Sequence, residues 1–85
     1  MKGSYLDNDC IPRIGNNVWY LDGGEQLFGT VINMFNLDCG IGYVSCDIVT
    51  TNDERVYHCM LNTVFDHCPV QVVINDYFGR VTVWE

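Results

Sequence analysis

The sequence predicts one all-β domain: six short antiparallel strands forming a small barrel or sandwich, with one short 3-10 turn. Three observations carry that prediction. The 85 residues include 11 Val, 6 Ile and 5 Thr, with no Ala and a single Lys. β-Branched side chains lose rotamer freedom in a helix and pack well on a pleated surface, while the strongest helix formers are the ones missing. Apolar residues recur with a period of two in short runs, and those runs are separated by clusters of Gly, Asn and Asp, which favours a barrel or sandwich over an α/β fold.

Residues 1–16 show no clear period and read as an N-terminal arm, with a short Ile11–Ile14 contact to the body that follows at 17–85. The first strand is Asn17–Leu21, Val18 and Tyr20 facing one way and Trp19 and Leu21 the other. Asp22-Gly23-Gly24-Glu25 is a turn, because Gly reaches positive φ without strain. The second strand runs from Gln26 to about Phe35, and Gly29 inside it predicts a bulge or sharp bend. Asn36–Gly42 is a loop. The third strand, Tyr43–Thr50, places Val44, Cys46 and Ile48 inward and Ser45 and Asp47 outward. Thr51-Asn52-Asp53-Glu54 turns the chain into the fourth strand, Arg55–Met60. Leu61–Phe65 breaks the alternation and fits one helical turn. Pro69 marks the start of a fifth strand, Val70–Ile74; Asn75–Gly79 is a loop, and Arg80–Trp84 is the sixth strand.

Charge bounds the partners. Eleven Asp and Glu stand against four Lys and Arg, a net charge of −7. Direct nucleic-acid binding is not expected, because phosphate neutralisation needs basic groups, and neither is attachment to an anionic membrane. A basic protein partner is compatible, although acidity also serves solubility alone. No apolar run approaches the ~20 residues of a spanning helix, and Met1–Asn8 lacks the apolar core of a signal peptide. The expected compartment is the cytoplasm, the host's if the chain is phage-encoded. The five cysteines read as reduced thiols that behave as small hydrophobes.

From Val18 to Phe65 the pattern resembles a small SH3-like barrel of the Tudor and KOW type. Val18-Trp19-Tyr20, the turn at Gly23-Gly24 and Gly29-Thr30-Val31 carry the resemblance. A hairpin with arms Tyr43–Thr50 and Arg55–Met60 follows, then a one-turn helix at Leu61–Phe65 ahead of another strand. The likeness covers somewhat more than half the chain. It implies a reader or adaptor module. KOW-type modules carry basic residues for RNA or ribosomal partners, and those are scarce here.

Several residue constellations bear on chemistry. His58-Cys59 and His67-Cys68 supply four zinc-type ligands, but neighbours on a strand point to opposite faces, so no metal is expected. Asp7-Asn8-Asp9 opens like a calcium loop but lacks its Gly and late Glu. A Cys–His pair, His58 with Cys46 or Cys59 with His67, has no spacing that marks an activated nucleophile; no catalytic residue and no cofactor are expected. Tyr20, Tyr43, Tyr57 and Phe65 are candidates for an aromatic pocket around a peptide or a methylated cation.

The leading expectation is a non-enzymatic inhibitor or decoy that contacts a basic, nucleic-acid-handling protein complex. Asp22, Glu25, Asp47, Asp53, Glu54 and Asp76 would supply charge, and Tyr77, Phe78 and Trp84 the anchors. In size and charge the chain resembles phage-encoded inhibitors of host defence such as anti-CRISPR proteins. Exposed strand edges also offer a route to a homodimer.

Overall fold

The structure is a computed structural model that describes residues 2–85. Gly23 and Gly24 take φ of 57° and 97°, the two positive values of a tight hairpin turn. That turn joins β1 (Asn17–Asp22) to β2 (Glu25–Phe35), paired from Asp22 opposite Glu25 to Asn17 opposite Thr30. After a loop and the 3-10 turn η1 (Ile41–Tyr43), β3 (Ser45–Thr50) pairs with β2 and β4 (Val56–Met60) with β3. A second 3-10 turn, η2 (Leu61–Thr63), leads into β5 (Val64–Phe65), which pairs with β1. The result is a five-stranded antiparallel sheet of order β4-β3-β2-β1-β5. β6 (Gln71–Asp76) and β7 (Gly79–Trp84) form a separate two-stranded sheet.

The all-β class is as expected. Among the described residues the strand count is seven, and the five-stranded sheet is not closed by hydrogen bonds between its end strands β4 and β5. The added strand is β5, whose two residues are too few to carry an alternation signal. η1 replaces the start of the expected third strand, and the expected loop at 75–79 shrinks to Tyr77 and Phe78 because pairing extends to Asp76 opposite Gly79. The register shift in β2 lies between Val31 and Asn33, not at Gly29. Gly29 has another role: a Cβ there would sit 2.5 Å from the Val49 carbonyl oxygen.

One face of the sheet carries the core, formed by Val18, Val31, Cys46, Ile48, Cys59 and Val64 with Val44 and Leu61 from the flanking turns. Ser45, expected outward, is also buried. The arm is part of this packing rather than a lead-in. The Tyr5 N–H donates to the Val64 carbonyl at 2.8 Å and the Leu6 N–H to the Leu61 carbonyl, while both side chains pack on the core. Ser4 and Pro12 are buried; Ile11 and Ile14, the expected contact, are exposed. Ile14 is followed by a backbone bond from the Gly15 N–H to Val31, so the arm is held to β2 by its main chain.

Two consequences are measurable. Cys46 and Cys59 face each other across β3 and β4 in the core. Burial, with added repulsion from Asp47 and between the pair, pushes Cys46 up to about 11 and Cys59 up to about 12. Cys10, Cys39 and Cys68 are exposed. A thiol reagent at pH 8 is therefore expected to titrate three of five cysteines in the native protein and all five in denaturant. The β3–β4 turn holds Glu54 at φ 54°, a conformation that costs a side chain ~1 kcal/mol. Glu54→Gly is expected to raise stability by about 0.5–1 kcal/mol in urea denaturation.

Candidate binding surface

The β6–β7 hairpin positions the feature that stands out on the surface. Asp76 and Gly79 are register partners, so only Tyr77 and Phe78 form the loop. Asp at the first turn position and Gly at the fourth suit a type I turn, and Gly79 takes φ 114°. The Asp76 carboxylate accepts the Phe78 N–H at 2.7 Å, which fixes the turn from within. Both aromatic side chains then have nowhere to pack except against each other. Tyr77 is 98% exposed and Phe78 94%, with ring centroids 6.0 Å apart in an edge-on arrangement. Two almost fully solvated rings therefore stand at the apex of a short turn with no pocket of their own among the described residues.

The base of the hairpin is tied down. Val70 and Glu85 exchange two backbone hydrogen bonds at 2.8 and 3.0 Å, and the Gln26 side chain donates to the Pro69 carbonyl. Val72, Ile74 and Val83 are only half-buried, and Val81 is exposed. A cleft of about 360 Å³ separates Ile74, Val83 and Trp84 from Lys2, Asp7 and Asn8 of the arm. Trp84 therefore lies at the opposite end of β7 from the tip, about 17 Å along the strand. It does not join Tyr77 and Phe78.

The carboxylates fall into distinct settings. Asp22 and Glu25 face each other at the β1–β2 turn. Asp53 and Glu54 lie in the β3–β4 turn, and the up-and-down strand order brings both turns to the same end of the five-stranded sheet. The Thr50 hydroxyl donates to the Asp53 carboxylate and holds it below the ordinary carboxyl range, with help from the backbone and Arg55. That stabilisation is present at neutral pH and fades as pH falls through the lowered value. Asp47 is not a free surface charge. Its side chain is largely buried and accepts from His58 Nδ1 at 2.8 Å, with the imidazole set edge-on to Phe35. Sequence position gave no sign of this pairing, which arises only because Asp47 and His58 are register partners.

The four pocket candidates separate. Tyr20 and Tyr57 meet on the core face with ring centroids 5.4 Å apart, both half-buried. Phe65 is buried on the other side of the sheet, opposite Trp19 in register and edge-on to His67. Tyr43 stands on η1, 70% exposed, with no ring neighbour among the described residues. His58 and Cys59 face opposite sides, one toward Asp47 and one into the core. The upward shifts of Cys46 and Cys59 run opposite to what an activated thiol needs. Among the described residues, no helix is long and apolar enough to cross a membrane. Compared with known protein families, characterised proteins and solved structures, the chain shows no significant match.

Proposed function

We propose that this chain is a non-enzymatic binding protein, an acidic inhibitor or decoy that docks on a basic, nucleic-acid-handling protein complex. The observation that carries the reading is the solvated Tyr77–Phe78 pair at the hairpin tip, on a chain of net charge −7. Aromatic side chains are the commonest anchors at protein interfaces, and leaving two in water has a cost that a complementary pocket removes. Asp76 beside them, and the turn carboxylates Asp22, Glu25, Asp53 and Glu54, supply the field that draws in a basic surface. The order β4-β3-β2-β1-β5, with η2 between β4 and β5, supports reading the five-stranded unit as SH3-like and the hairpin as an addition to it.

The test is competition. Complexes retained from host extract on the immobilised protein at low salt are challenged with a short DNA duplex. Recovery of basic nucleic-acid-handling proteins, displaced by the duplex and weakened at high salt, is the expected result. Retention that ignores both the duplex and ionic strength overturns the decoy reading.

A further inference from the structure

β4 ends the five-stranded sheet, and among the described residues no strand pairs with its outer edge. The Thr50 N–H donates to the Arg55 carbonyl at 2.9 Å. Bonded pairs alternate along an antiparallel ladder, so Arg55, Tyr57 and Cys59 turn their backbone groups toward β3. Val56, His58 and Met60 turn theirs outward. Of those three carbonyls, only that of Met60 is engaged by a side chain among the described residues, the Thr63 hydroxyl at 2.8 Å. Natural sheets blunt such an edge with Lys, Pro, a bulge or a covering segment. β4 reads Val-Tyr-His-Cys-Met and keeps an unbroken register with β3. The opposite edge is treated differently: β5 has two residues, and the arm caps it through Tyr5.

We infer that β4 pairs antiparallel with β4 of a second copy, about a two-fold axis through His58, joining two sheets into one of ten strands. The strand is self-complementary about that residue. Val56 of one copy falls opposite Met60 of the other, both apolar and 57% and 43% exposed on the outer face. Tyr57 falls opposite Cys59, and His58 opposite His58. Charge permits the contact in spite of the net −7. β4 carries no carboxylate, and the largely buried Asp47 carboxylate is engaged by its hydrogen bond with His58. Asp53 and Glu54 lie four to five residues from the axis, so the acidic turns of the two copies are separated by about 30 Å, several Debye lengths at physiological salt. The inference is independent of what the hairpin tip binds.

Sedimentation velocity and amide exchange on the full chain test it. The expected result is a species of twice 9.7 kDa at micromolar concentration. The amides of Val56, His58 and Met60 should exchange at least 100-fold more slowly in the dimer than on dilution. Val56→Pro removes an outward N–H that makes no bond to β3 and is expected to raise the dimer dissociation constant at least 100-fold. His58→Lys sets two ammonium groups across the axis on side chains that are exposed in the single copy; it is expected to give a folded monomer even if Val56→Pro does not fold. A wild-type protein that stays at 9.7 kDa at hundreds of micromolar overturns the inference. So does a dimer in which those three amides exchange freely, or one that His58→Lys leaves intact.

Discussion

Replacing Tyr77 and Phe78 together by alanine is expected to weaken partner capture about a thousandfold, because two interface anchors worth roughly 2 kcal/mol each are removed. Stability should hardly move. Both rings are almost wholly solvated and contact only each other, so their loss opens no cavity. The turn survives as well, since the bond that fixes it comes from the Asp76 side chain to the Phe78 backbone N–H. The pairing of a large binding loss with an unchanged melting temperature separates an anchor from a structural residue. Titration calorimetry or biolayer interferometry against the captured complex, beside a thermal melt, reads both. Asp76→Ala is expected to act differently: it releases the turn and lowers affinity through looser presentation of the rings.

Gly29→Ala is expected to destabilise the fold by about 3 kcal/mol, at the upper end of ordinary overpacking. The added carbon would lie 2.5 Å from the Val49 carbonyl oxygen and 2.6 Å from Ile48 Cγ2. The first neighbour is main chain of the adjoining strand, so relief requires β2 and β3 to move apart where Gly29 pairs with both Val18 and Thr50. For a domain of this size the melting temperature should fall by roughly 15 °C. Gly42→Ala is the matched control. Nothing lies within 4 Å of a Cβ at Gly42, and no loss of stability is expected there. Urea denaturation of the two variants, compared at equal m-value, checks the pair.

The all-β class was legible because β-branched composition and period-two alternation act locally, residue by residue. The β1–β2 turn was legible for the same reason: two adjacent glycines between alternating runs admit few alternatives. Buried Val44, Cys46 and Ile48 followed from alternation within one strand. What escaped depended on contacts between distant segments. The role of Gly29 is set by the approach of Val49, twenty residues away in sequence. The arm's place on the core rests on main-chain bonds from Tyr5 and Leu6 to β5 and η2, which side-chain patterning does not encode. The pairing of Asp47 with His58 is not announced by any local pattern, because only strand register brings the two together. Tyr77 and Phe78 stand out in the sequence as aromatic residues near a turn, but their setting does not. A loop was expected over 75–79, whereas pairing to the last residue on each side leaves two rings alone at the apex.

In the proposed mode of binding, distributed carboxylates bring the partner in and the hairpin tip holds it. Stopped-flow kinetics with the partner, run from low to high ionic strength, tests it most directly. The wild-type association rate is expected to fall at least tenfold as salt is raised from about 50 to 300 mM. The Tyr77→Ala, Phe78→Ala double variant is expected to follow the same association curve but to dissociate far faster. An association rate that is flat across salt, or a double variant that dissociates as slowly as the wild type, would contradict it.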